Sequence, residues 1–145
     1  MTAEAADQAT RTVVCLVEVS GRTLAIEIAQ AREARALAVY TLVPLGPLHL
    51  TGMLNLRGAI VPIVDTRVLL RLPAHDPPLQ SLVVEANAVR VALVVDRVQG
   101  VDSVEGPAEP WADPLDTGWL QPRCLRRGDD ATPFLDVTAI VGSLA

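Results

Sequence analysis

A chain of 145 residues with a formal net charge of −5 has the size of about one domain. Its basic residues are all Arg and are scattered, which leaves no concentrated cationic face for nucleic acid or an anionic membrane. Half of the residues are hydrophobic but only 3% are aromatic, so the core must be built from Val, Leu, Ile and Ala.

Residues 1–12 are polar and Ala-rich and read as a flexible N-terminal tail, leaving 13–145 as a single domain. The tail lacks the basic start and apolar centre of a secretory signal, and no apolar run approaches the roughly 20 residues that span a bilayer. Both features point to a soluble, cytoplasmic protein. Val13 to Ser20 is rich in β-branched residues; Gly21 and Arg22 supply a turn, and Leu24 to Ile28 alternates in character, which predicts a hairpin. The Ala, Glu and Arg content of Gln30 to Val39 favours helix, although a helix there interrupts a β pattern. Pro44 to Pro47 marks a connection before the short apolar stretch Leu48 to Leu54, which fits one or two helical turns. Arg57-Gly58 then forms a turn into a strand, Pro62 to Asp65, and Pro73 to Pro78 is a loop. A second hairpin runs from Leu82 to Glu85, turns near Asn87 and returns through Val91 to Val95, Asn being tolerant of left-handed turn positions. Gly106 to Pro114, with three prolines, reads as an exposed crossing loop.

The two hairpin segments, beginning at Cys15 and at Ser81, can be laid against each other. Arg57-Gly58 followed by Pro62 to Asp65 likewise resembles Arg127-Gly128 followed by Pro133 to Asp136. We read a weak internal duplication, hence two related β-subdomains in which a strand leads into a short helix. Asp65 and Asp136 then serve as helix N-caps, the second ahead of a C-terminal helix with Val137, Ile140, Val141 and Leu144 on one face.

Catalytic groups are sparse. His49 and His75 stand apart, so no metal site is expected. Cys15 and Cys124 sit in apolar runs without the context of a reactive thiol, which leaves a thiol hydrolase a remote alternative. The glycines are dispersed and make no phosphate loop, and Asp129-Asp130 follows Gly128 in what reads as a turn. No cofactor is implied; the composition is that of a binding module rather than an enzyme.

The segment Gly52 to Arg67, GMLNLRGAIVPIVDTR, resembles the most recognisable stretch of CheW-like domains, an N-L-R-G turn leading into I-V-P-I-[VI]-D-L-R, with Thr66 in place of the usual Leu. Ala92 to Val101, the acidic loop Val104 to Pro110 and Phe134 to Leu144 resemble later elements of the family in the right order, so the likeness extends from Val13 to Leu144. The resemblance implies a mainly β fold of two packed, five-stranded SH3-like barrels with short helices, and it turns Gln30 to Val39 into strand and loop. It implies no catalytic activity. It also implies two partners, the regulatory domain of a CheA-like histidine kinase and the cytoplasmic tip helices of chemoreceptors.

By the same resemblance, Glu33 and Arg57 take the positions associated with receptor contact, with Ala31, Ala34, Asn55, Leu56, Gly58 and Leu82 around them. The sequence departs from the family pattern at Ala31 and Ala34, where larger apolar anchors are common, at Ala92 in place of Gly, and at Gln121-Pro122. A signalling adaptor between kinase and receptor is the expected function. The alternative is a diverged module that serves a different kinase pathway, such as pilus motility or gene regulation, or that binds only one partner.

Overall fold

The computed structural model describes residues 11–36, 41–42, 50–73, 80–114 and 117–144. Its first strand, β1 (Arg11–Val19), starts within the segment read as tail and forms a hairpin with β2 (Arg22–Glu27). The turn between them is Ser20-Gly21, one residue earlier than expected, with φ of 49° and 78°. Two left-handed residues are what a two-residue hairpin loop requires to match strand twist. β3 (Ala31–Ala36) follows, then β4 (Thr41–Leu42), β5 (Leu50–Leu56), β6 (Ala59–Asp65) and the helix α1 (Thr66–Leu69). A second hairpin, β7 (Gln80–Ala86) and β8 (Val89–Val95), turns at Asn87-Ala88, and β9 (Arg97–Glu105), β10 (Glu109–Pro110), β11 (Leu120–Arg127), β12 (Asp130–Leu135) and α2 (Val137–Gly142) complete the order.

Three local readings change or are resolved. The helical turns expected at Leu48 to Leu54 are instead strand from Leu50 onward, because β5 pairs along its length with β6. Ala31 to Ala36 is strand despite its helix propensity, since β7 offers it a hydrogen-bonded edge. Tertiary pairing outweighs propensities of a few tenths of a kcal/mol per residue, about the spread among these residue types. The crossing loop at Gly106 to Pro114 contains β10, which pairs with β11.

The twelve strands among the described residues form two six-stranded sheets, ordered β10-β11-β12-β2-β1-β9 and β4-β5-β6-β8-β7-β3. Each strand of the first order corresponds to the strand six places away in the second. The duplication read in the sequence is therefore a duplication of topology, with one addition: the leading hairpin of each half lies in the sheet built by the other half. β2 joins β12 in parallel at Ala25–Phe134, and β8 joins β6 in parallel at Ile63–Ala92.

Three apolar clusters follow from this exchange. The largest lies between the sheets and takes Cys15, Val17 and Val19, Leu24 and Ile26 from the first hairpin, and Leu82, Val84 and Ala86, Val91, Leu93 and Val95 from the second. The alternate residues of the same strands face the other way. Val14, Leu16 and Ala25 meet Leu125 and Phe134, while Val83, Ala92 and Val94 meet Leu56, Val61 and Ile63. Each of these smaller clusters is lined by one sheet, which must curl around it. Both hairpins are thus buried on both faces, which is why they read as near-continuous apolar runs.

Asp65 and Asp136 cap the two helices as expected, their Oδ1 atoms accepting from the N–H of Arg67 and of Ala139 at 3.0 Å. Val137, Ile140 and Val141 are buried on the inner face of α2, and Leu144 packs against the same cluster. Asp65 also receives the Arg67 guanidinium at 3.1 and 3.0 Å, a two-point ion pair out of solvent. Between them Thr66 is fully buried, and its hydroxyl has no hydrogen-bond partner among the described residues. Thr66→Val removes that cost at nearly constant volume. It should raise stability by about 1 kcal/mol, read as a higher urea midpoint at unchanged slope; a lower midpoint would show that the hydroxyl is satisfied.

Candidate functional site

The turn between β5 and β6 is fixed by its own sequence. Arg57 and Gly58 hold φ of 53° and 85°, and the Asn55 side chain accepts the Gly58 N–H at 3.0 Å. Asn55 and Gly58 are therefore builders of the turn. Arg57 is carried out from it with its side chain 70% exposed, and one of its terminal nitrogens donates to Glu33 Oε2 at 2.8 Å.

Glu33 reaches Arg57 because β3 is bulged. Ala31 pairs with Val84, yet Glu33 pairs with Val83, so one extra residue lies between them. Without the bulge, residues two apart would share a face; with it, Ala31 turns to the central core and Glu33 to the opposite side. Arg35 adds a second contact to Glu33 at 3.4 Å. The hydrogen bond from Arg57 holds the Glu33 carboxyl below its ordinary range, against a smaller opposing effect of burial, with Arg35 assisting.

A matching arrangement lies beside it. Glu85 accepts from Arg90 Nε at 2.9 Å and lies 3.4 Å from Arg32, and the Arg90 hydrogen bond is the main cause of its lowered pKa. Arg32 is also tied down by the Ala29 carbonyl at 2.7 Å. The two groups border one open cleft of about 200 Å³, lined by Arg32, Glu33, Leu56, Arg57, Val83 and Arg90. Leu56 and Val83 beneath it are nearly buried, 3% and 1% exposed, and the accessible lining is mostly the charged side chains, which suits an anionic group.

The structure brings together Glu33, Arg57 and Leu56 from the residues expected at the site. Ala31 and Ala34 belong to the other face of β3, opposite Val84 and Leu82, so their shortness does not shape this cleft. Leu82 packs in the central core, and strand alternation sets its neighbour Val83 on the face beneath the cleft. Arg32, Val83, Glu85 and Arg90 were not singled out in the sequence. A signal did exist for two of them, since Glu85 and Arg90 flank the Asn87 turn as a cross-strand pair.

A second surface lies on the other sheet. Val101 pairs with Cys15 and is 68% exposed; Val13 and Ile28, each two residues beyond the central-core positions Cys15 and Ile26, are 37% and 40% exposed. Val13 and Val101 lie on β1 and β9 of this sheet, and Ile28 in the turn that follows β2. Cys15 and Cys124 are buried, and desolvation pushes the Cys15 thiol up, away from nucleophilic use. His49 and His75 lie outside the described residues. No cluster of metal ligands occurs among the described residues, and no described helix is long and apolar enough to cross a membrane.

The family model of the CheW-like domain matches residues 13–144. The chain is 33% identical over 81 residues to a probable chemotaxis protein CheW of Rhizobium etli, covering 54% of this chain and 52% of that protein. It is 32% identical over 88 residues to the chemotaxis protein CheW of Rhizobium meliloti, covering 59% and 57%. The chain thus spans about half the length of the curated relatives it matches. Its fold is that of the scaffolding protein TtCheW from Thermoanaerobacter tengcongensis, with a TM-score of 0.77 over 86% of this chain and 88% of that one at 19% identity.

The Glu33–Arg57 contact has a direct spectroscopic consequence. A carboxyl held below its ordinary range keeps its contribution to the folded state at neutral pH and loses it as pH falls through the lowered value. Carbon-detected NMR titration should place the Glu33 midpoint below that of a free glutamate, and Arg57→Ala should raise it. Equal midpoints in both proteins would show that the ion pair does not persist in solution.

Proposed function

The chain belongs to the CheW-like domain family, and from that premise we propose that it is a non-enzymatic chemotaxis-type adaptor that couples a CheA-like histidine kinase to methyl-accepting chemoreceptors. The observation that carries this reading is the Glu33–Arg57 pair, set by the β5–β6 turn at the rim of the cleft. One Arg57 nitrogen is engaged by Glu33, and the guanidinium has further donors for a partner. An amphipathic helix supplies polar groups for such a charged rim. The cytoplasmic tip of a receptor is therefore the proposed occupant.

An adaptor needs a second, separate surface. The patch of Val13, Ile28 and Val101 belongs to the other sheet and is apolar, which suits the core of an interface with the kinase regulatory domain. The proposed place of action is the cytoplasm, at receptor arrays reached through these partners. A thiol hydrolase is disfavoured by the burial of both cysteines. Ala31 and Ala34, two of the departures from the family pattern, lie across β3 from the cleft, which weighs against a module in another kinase pathway.

Arg57→Glu sets a carboxylate against Glu33 and should weaken binding of a receptor cytoplasmic fragment at least about tenfold, roughly 1.4 kcal/mol, with kinase-domain binding retained. Val101→Asp should do the reverse. Isothermal titration with each partner separates the two effects. If Arg57→Glu leaves receptor binding and kinase coupling intact, the site is misassigned.

A further inference from the structure

Among the described residues, four guanidinium groups, from Arg32, Arg35, Arg57 and Arg90, are paired with two carboxylates, Glu33 and Glu85, on a chain whose net charge is −5. Positive charge is thus in surplus at this one cleft while the molecule as a whole is acidic. Each Glu is shared by two Arg, and the sharing is incomplete. Arg90 uses its Nε toward Glu85 and Arg57 one terminal nitrogen toward Glu33, both on half or more exposed side chains. Their remaining N–H donors make no hydrogen bond among the described residues.

We infer that the Arg32–Glu85–Arg90 group is a second recognition element of the cleft, which selects a partner helix carrying an acidic side chain. This rests on the reading of the cleft as the receptor site and names what that site prefers. A glutamate of the incoming helix sets its carboxylate against Arg57 and Arg90, above the nearly buried Leu56 and Val83, a charge-assisted contact stronger than a neutral one. Glu33 and Glu85 hold the guanidinium groups in place, so little side-chain freedom is lost on binding. Nucleic acid does not suit the same surface, because the surplus is local and the rest of the chain repels a polyanion.

The test titrates the full chain with a receptor cytoplasmic fragment and, separately, with the kinase regulatory domain, between about 0.01 M and 1 M salt. Receptor affinity of the unmodified chain should fall as salt rises. Arg90→Gln and Arg32→Gln should each weaken it by about three- to tenfold and flatten the salt dependence, while kinase-domain binding stays unchanged. Arg90→Lys, which retains the charge, should keep the salt dependence. A variant that had merely unfolded would lose kinase binding as well. If Arg57→Glu abolishes receptor binding while Arg90→Gln binds with unaltered affinity and salt dependence, the inference falls and the adaptor reading stands. If the unmodified chain binds no receptor fragment, both fall.

Discussion

The structure depends on two hairpins that are buried on both faces. β1–β2 and β7–β8 carry side chains into the central cluster on one side and into the smaller clusters on the other. A residue out of register in either hairpin would move its whole apolar set to the wrong cluster, so register is specified twice over. The tight turns at Ser20-Gly21 and Asn87-Ala88 pin that register locally. With so few aromatic side chains, this double use of Val, Leu, Ile and Ala is how a chain of this size fills its interior.

The candidate site is an edge feature of that arrangement. β3 is the outermost strand beside β7, and its bulge turns Glu33 away from the core. The second half repeats the device: β9 is outermost beside β1, and its register also shifts by one residue near the middle. There, however, Gly100 stands opposite Leu16 where Glu33 stands opposite Val83. The turn arginine of the second half, Arg127, pairs with Asp102 at 2.9 Å instead. One backbone plan thus presents two different surfaces, and the difference lies in a handful of side chains.

Much of the fold was legible from residues with strong local preferences. The hairpins announced themselves by apolar runs around Gly21 and Asn87, and the caps by Asp65 and Asp136 at matching places. The long motif from Asn55 to Arg67 carried the family and, with it, the Glu33–Arg57 pair. What the sequence hid was non-local. The bulge in β3 decides which of Ala31, Glu33 and Ala34 face the cleft, and nothing in that segment's composition signals it. Leu82 and Val83 are equivalent as letters, and only pairing across the sheets shows that one packs in the central cluster and the other in the smaller cluster beneath the cleft. Arg32 and Arg90 are distant in sequence and meet only through Glu85.

The exchanged hairpins also describe the molecule in another way. Each half contributes a hairpin that completes the other half's sheet, and the two sheets have the same strand order. That is the geometry of a two-fold dimer with swapped arms, here joined into a single polypeptide. Covalent linkage removes the concentration dependence of such an assembly. It also removes the obligation of symmetry: the two halves need not match at their outer edges, so one can keep Glu33 and Arg57 while the other is free to meet something else.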